Sequence, residues 1–168
     1  TYSYNSGTIQ IDELDGYESN EFEYNDAGSM GLQGPSGSDY DYYYDPDERL
    51  VRVKDESNTT VVDYEYDGMN RRRVKTFPGG NYSVFFFAPD GRLLSEIRKE
   101  SSTWYVEDHI WMEGRLLARV DSDTDSFGGE VEDSAVYWYH LDQLGTPWKM
   151  TDDGGTPAVV WAGEYTPY

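Results

Sequence analysis

The most restrictive feature of this sequence is a tyrosine-led turn that repeats along it. One copy runs from Tyr42 and Tyr44 through Asp45 to Glu48, Arg49 and Leu50. A second runs from Tyr64 and Tyr66 through Asp67 to Asn70, Arg71 and Arg72. A third runs from Phe85 and Phe87 to Asp90, Gly91, Arg92 and Leu93, and a fourth from Trp111 to Gly114, Arg115 and Leu116. Looser copies flank these, at Phe22, Tyr24, Asn25 and Gly28 and at Tyr137, Tyr139, Asp142 and Gly145. The turn positions fall at residues 28, 48, 70, 91, 114 and 145, in steps of 20, 22, 21, 23 and 31. Self-similarity on this scale defines a repeat architecture, in which each unit is stabilised by the next.

Each copy joins an alternating aromatic strand to an alternating aliphatic one across four or five turn residues. Tyr42 and Tyr44 stand two apart, as do Tyr64 and Tyr66, so each pair shares one face of a strand. Asp45, Asp67 and Asp90 are placed to bond backbone groups ahead of them, and Gly91 and Gly114 supply positive φ. Asn70 tolerates that conformation, and Glu48 does so less comfortably. The repeating unit is therefore a β-hairpin, and the fold class is all-β, a long antiparallel sheet of about six hairpins over residues 1–168. No stretch has a sustained period near 3.6 residues. Residues Ser95–Glu100 could make a short helical turn, but a strand running into a loop is favoured because a strand at Trp104–Val106 follows at repeat spacing. Tyr2 to Gly7 and Thr8 to Ile11 read as a degenerate first hairpin, Gly31–Ser38 as a loop, and Asp121–Asp133 as an exposed acidic insertion that accounts for the longest step.

Composition fits this reading. Aromatics make up 16% of the 168 residues against 37% hydrophobic residues overall, which suits broad sheets with cross-strand aromatic pairs rather than a thick aliphatic core. There is no cysteine, hence no disulfide or thiolate chemistry. No apolar run reaches the roughly 20 residues of a membrane-spanning helix, and no signal peptide is apparent. The chain begins at Thr1 and reads as a processed or incomplete piece of something longer. Net charge is −20, with twelve acids and no Lys or Arg in residues 1–48 and ten acids against Lys149 alone in residues 121–168. Phosphate backbones need clustered cations, so nucleic acid is disfavoured as a partner.

At these same residues the chain resembles the Rhs, or YD-repeat, family. The namesake pattern stands at Tyr42–Leu50, Tyr64–Arg72 and Phe85–Leu93. The closing stretch from Tyr137 through His140, Asp142, Gly145 and Pro147, with Trp161, Glu164, Tyr165 and Tyr168, is similar to the end of the Rhs core. The resemblance covers about residues 20–168 and leaves the acidic insertion unmatched. It implies a spiralling β-sheet that in long members forms a shell around a C-terminal toxin or other cargo, and in related animal proteins an adhesion scaffold. Six hairpins are too few to close a shell, and Tyr168 comes before the family's self-cleavage motif and toxin would begin.

Other residues carry candidate chemistry, each with a plainer alternative. Asp121, Asp123, Asp125 and Glu132 stand at positions 1, 3, 5 and 12 of a calcium-loop register, although Ser126 replaces the usual glycine; a solvated acidic loop is the competing reading. His140 and Asp142 lie two apart, and His109 follows Asp108, but no nucleophile accompanies either histidine. Structural hydrogen bonding is the simpler role for both. Arg71, Arg73 and Lys75 would share one strand face opposite Arg72, as an anion strip or as partners for neighbouring carboxylates. Asn58 and Asn81 open N-glycosylation triplets. Taken together, the sequence predicts a non-enzymatic extracellular, secreted or cell-surface scaffold with no cofactor beyond the candidate calcium. It predicts pairing through strand edges with the rest of a longer chain or with copies of itself, and no membrane insertion. The alternatives are a glycan- or protein-binding surface module, or the scaffold part of a polymorphic toxin.

Overall fold

The computed structural model describes residues 2–4, 11–14, 20–35, 39–127, 129–131 and 133–165, with the side chains described from residue 22 onward apart from Pro35. The chain divides into two compact units, residues 1–80 and 81–168. In the first, β1 (Tyr2–Tyr4) pairs with β2 (Ile11–Leu14) as an antiparallel ribbon. A meander follows: β3 (Asn20–Tyr24), β4 (Met30–Pro35), β5 (Tyr40–Tyr44), β6 (Leu50–Asp55), β7 (Thr60–Tyr66) and β8 (Arg72–Thr76). A short Pro78–Gly80 turn closes that unit. The second unit is also a meander: β9 (Tyr82–Phe87), β10 (Leu93–Glu100), β11 (Thr103–Met112), β12 (Arg115–Thr124), β13 (Asp133–Leu141), β14 (Pro147–Asp152) and β15 (Val159–Ala162). Every pairing is antiparallel and joins neighbours in sequence, as the periodic turns require. No α-helix occurs among the described residues.

The odd-numbered strands from β3 onward lead into the repeated turns, and the even-numbered strands return from them. The sheets are one layer thick. Among the described residues only Val53, Val62, Ala88, Ala118 and Met150 are buried apolar side chains, and none is fully enclosed. Val53 and Val62 face each other across β6 and β7. Stability therefore comes from backbone ladders and from cross-strand pairs worth roughly 0.2–1 kcal/mol each. Rings pack less on one another than expected. Tyr82–Trp104 and Trp104–Phe127 meet edge-on or tilted at 5.5 and 5.2 Å, but most aromatic contacts are with Arg or Lys.

Four boundaries depart from the sequence reading. Gly31–Pro35 is strand β4, not loop, because the preceding turn at Asn25–Ser29 closes a ladder that glycines can follow. Residues 36–38 lie outside the described residues. The return strand of the first hairpin is Ile11–Leu14; residues 5–10, which hold most of its expected turn and return strand, also lie outside them. Strand β12 runs through Asp121 and Asp123 to Thr124, held by its ladders to β11 and β13, so the acidic connection is shorter than 121–133. Strand β10 continues to Glu100 and turns on Ser101 and Ser102 into β11, without an intervening loop.

A regular irregularity accompanies every repeated hairpin. The ladder skips one residue just inside each return strand, at Gly31, Val51, Arg73, Leu94, Leu117 and Trp148. Each is a β-bulge, which increases local twist and re-aims the side chains beyond it. In β8 the bulge breaks the simple alternation. Arg72 lies opposite Tyr66 and Lys75 opposite Tyr64, so these two share the tyrosine face, and the expected strip of Arg71, Arg73 and Lys75 does not form.

Candidate functional site

The repeated turn is built from its aspartate outward. The Asp45 backbone N–H donates to the Arg49 carbonyl and the Glu48 N–H donates to the Asp45 carbonyl, both at 3.0 Å. The same two-bond frame recurs between Asn25 and Ser29, Asp55 and Thr59, Asp67 and Arg71, Ala88 and Arg92, and Asp142 and Thr146. It is a five-residue loop whose fourth residue takes the left-handed conformation, with φ of 57° at Glu48, 61° at Asn70 and 91° at Gly91. The fourth copy is different. It is a two-residue turn of Glu113 (φ 51°) and Gly114 (φ 79°), not the four or five residues expected. Both central residues have positive φ, the arrangement that matches strand twist in tight hairpins.

The aspartate side chain completes the loop. Asp45 Oδ1 accepts from the N–H groups of Asp47 and Arg49 at 3.0 Å, and Oδ2 accepts from Arg49 Nε at 2.7 Å. Asp67 repeats this with Met69 and Arg71 at 2.8 and 3.0 Å and with Arg71 Nε at 2.8 Å. Asp142 accepts from Leu144 and Thr146 at 2.8 Å, and Asn25 does the same neutral job at Ala27 and Ser29. In the third copy the position belongs to buried Ala88, and Asp90 instead takes the N–H and Nε of Arg92 at 3.2 and 2.7 Å. These bonds favour the charged carboxylate. The Arg49 guanidinium first, and backbone N–H groups second, hold Asp45 below the ordinary carboxylate range. The Arg71 N–H does so at Asp67, and the Arg92 side chain does so at Asp90.

At four places an aromatic residue at or close to the end of a leading strand reaches back to the return strand before it. Tyr44 Oη donates to the Met30 carbonyl and Tyr66 Oη to the Leu50 carbonyl, both at 2.8 Å. Trp111 Nε1 donates to the Leu93 carbonyl at 2.8 Å, and Tyr165 Oη donates to the Pro147 carbonyl at 2.6 Å. The register is the same each time. The donor lies three residues past the last ladder pair of its strand, at Asp41, Asp63, Asp108 or Ala162. The acceptor lies two residues before the partner in that pair, at Leu32, Arg52, Ser95 or Lys149. A side chain thus continues the pairing where the backbone ladder stops. Burial raises the hydroxyl pKa of both Tyr44 and Tyr66, keeping them neutral donors.

Arginine links the two devices. Arg49, already paired with Asp45, stacks over Tyr66 at 5.2 Å and donates to Asn70 Oδ1 at 2.9 Å. Arg92 stacks over Trp111 at 5.6 Å, and Arg115 reaches the Asp142 carbonyl at 3.3 Å. Glu48 accepts from Asn25 Nδ2 and Ser29 Oγ at 3.1 and 3.0 Å. The residue types of the motif therefore divide the work between them. The aromatic joins hairpin to hairpin, Asp shapes the loop, and Arg ties that loop to the next aromatic. The inner tyrosines serve locally, Tyr42 donating to Gln33 Oε1 at 3.2 Å and Tyr64 lying under Arg72 at 5.1 Å.

The densest titratable group lies elsewhere, on β10–β13. Arg119 pairs with Glu107 at 3.2 Å and with Asp121 at 2.6 Å, while Arg98 meets Glu107 at 3.4 Å. Burial raises the Asp121 and Tyr139 pKa values and lowers that of His109, whose Nδ1 is enclosed without a hydrogen-bond partner. An open groove of about 200 Å³ adjoins the cluster, lined by Arg98, Tyr105, Glu107 and Asp121 among others. No sequence motif signals this cluster, because its members are scattered over several strands.

Three of the four calcium-loop residues are described by the structure. Asp121 is committed to Arg119, Asp123 stands opposite Asp133 in the ladder, Asp125 is exposed beyond β12, and Glu132 lies outside the described residues. Among the described residues no three His, Asp or Glu side chains converge as cation ligands. His140 bonds Thr151 Oγ1 at 3.1 Å, and Asp142 is occupied by its turn. Asn58 sits exposed in a turn with Oδ1 taking Lys54 Nζ at 2.7 Å, whereas Asn81 Oδ1 accepts the Ser101 N–H at 2.8 Å.

These features define an antiparallel β-hairpin repeat protein in which four aromatic donors each fasten a hairpin to the one before it. Sequence comparison then points to a family. The RHS Repeat family matches residues 44–82 and the RHS protein family matches residues 136–168, consistent with a fragment of the Rhs/YD-repeat kind. No curated protein matches it.

Proposed function

We propose that this chain is a non-enzymatic β-scaffold working outside the cell, whose strand edges pair with further sheet from its own longer chain or from other copies. One observation carries the reading: the residues that define the repeat are engaged in joining hairpins. Tyr66 is bound to Leu50, Asp67 to its own loop, and Arg49 to both Asp45 and Tyr66. These side chains are spent on the sheet itself rather than aimed at a substrate. The family matches support the same reading, since Rhs-type repeats are generally structural and extracellular or surface-exposed.

Sedimentation velocity at rising protein concentration, at low and high salt, tests the proposal. The expected result is assembly that grows with concentration and with salt, because screening relieves repulsion between chains of charge −20. Monomer mass throughout, with the amides of edge strand β3 exchanging equally fast at all concentrations, overturns it.

A further inference from the structure

The cations of this protein belong to one class of strand. All 13 Lys and Arg residues fall within residues 49–54, 71–75, 92–99 and 115–119 or at Lys149. Every one therefore lies in a return strand or in the turn residue entering it. The leading strands β3, β5, β7, β9, β11, β13 and β15 contain none. Contacts follow this alternation. Arg52 of β6 pairs with Asp63 of β7 at 2.5 Å, and Arg98 of β10 meets Glu107 and lies over Tyr105 of β11. Arg119 of β12 lies over Tyr137 of β13 at 5.5 Å. Return strands also serve the leading strand before them, as Lys54 does at Tyr43 of β5, Arg72 at Tyr64 of β7 and Arg119 at Glu107 of β11, so a leading strand between two return strands draws charge from both sides.

Leading strands β5, β7, β11 and β13 each have a return strand on both sides. Strand β15 has β14 alone among the described strands. Yet it is a leading strand in full. Tyr165 occupies the aromatic-donor position on the Pro147 carbonyl, three residues past Ala162. Val159, Val160 and Trp161 are 56%, 46% and 40% exposed. Its surroundings are acidic, with Asp152, Asp153 and Glu164 nearby in sequence and Lys149 the single base after residue 120.

We propose that the free edge of β15 is a docking site for an antiparallel, cation-bearing strand of the return type. The inference rests on the scaffold reading and names the partner chemistry for this edge. Main-chain pairing would supply the affinity and the alternating side chains the selectivity, as in strand addition generally. A second copy fits poorly. Its basic return strands from β6 to β14 are each already paired, and its free β15 would set an acidic, aromatic edge against the same.

The test uses the intact chain at a concentration where it sediments as a monomer. The probe is a synthetic peptide of residues 114–121, a return strand with two arginines; its controls are the same peptide with both arginines changed to Glu, and the leading-strand peptide of residues 104–112. Hydrogen exchange at Val159–Ala162 is the readout, with Val160→Pro as the edge-blocking variant and amides of β11–β12 as the folding control. The expected result is at least tenfold slower exchange at β15 with the arginine peptide. That protection should be lost with the Glu peptide and in Val160→Pro, while β11–β12 stays protected. Equal protection by all three peptides, or none by any, overturns the inference. Concentration-dependent protection of β15 without peptide also overturns it, by making a second copy the occupant, and leaves the scaffold reading standing.

Discussion

Replacing Tyr66 with Phe isolates the bond that fastens one hairpin to the next. The ring stays under Arg49, whose guanidinium carbon is 5.2 Å from its centre, and only the hydroxyl that donates to the Leu50 carbonyl at 2.8 Å is lost. A typical hydrogen bond contributes about 1 kcal/mol net, and a part-buried carbonyl left without a donor costs some further fraction of roughly 1–3 kcal/mol. The expected loss is about 1–2 kcal/mol, or roughly 5–30-fold in the ratio of folded to unfolded protein. Urea unfolding followed by tryptophan fluorescence measures the global term. Hydrogen exchange at Arg52 and Asp63, the last ladder pair before the clip, measures the local one. Tyr66→Leu should lose about 0.5–1 kcal/mol more, the worth of an exposed cation–π contact. If Tyr66→Phe costs less than about 0.5 kcal/mol, the range of an ordinary surface change, and leaves exchange at Arg52 and Asp63 unaltered, the hydroxyl does not fasten the hairpins.

Other outcomes follow from the same geometry. Glu113→Asn should stabilise the protein by about 0.5–1 kcal/mol in urea unfolding, because Asn tolerates the left-handed conformation that Glu113 is held in at φ 51°. Asp67→Asn keeps the loop bonds that Asn25 makes naturally but loses the charge facing Arg71. Since the folded-state pKa of Asp67 is lowered, its stabilisation is present above the unfolded carboxylate value and lost as pH falls through the folded one. The melting temperatures of wild type and Asp67→Asn should therefore differ at neutral pH and converge as the pH falls through and below the ordinary carboxylate range. His109, whose pKa burial lowers against the pull of Glu107, should titrate by NMR below the ordinary value near 6.5, and His109→Gln should flatten the stability loss seen on acidification through that range. Millimolar calcium should leave the fluorescence of Trp104, which stacks on Phe127 of the acidic connection, unchanged.

Much of the fold was legible because turns announce themselves in side chains. Asp45, Asp67 and Asp142 mark loop starts, Gly91 and Gly145 mark left-handed positions, and alternating Tyr or another aromatic marks the strand before the turn. The bulges were not legible. Gly31, Val51, Arg73, Leu94, Leu117 and Trp148 have nothing in common as residue types, since the bulge is set by the loop frame and the neighbouring ladder. The aromatic clips were half legible: the donors stand out, but the acceptors are backbone carbonyls that no side chain identifies. Glycine in Gly31 and Gly34 suggested a loop where cross-strand bonding to β3 imposed a strand. Acidity in Asp121 and Asp123 suggested a cation loop where ladder continuity and Arg119 kept them in β12.

The alternation of return strands, cation-bearing from β6 to β14, with cation-free leading strands also sets the smallest change of length that such a sheet accepts. Removing one strand would bring two strands of the same class together, acid against acid or base against base, and would reverse every direction beyond it. Removing a leading and return strand together, a step of 20 to 23 residues over the regular repeats, restores both charge and direction at the new junction. Duplication, deletion and grafting in this sequence should therefore proceed in whole hairpins.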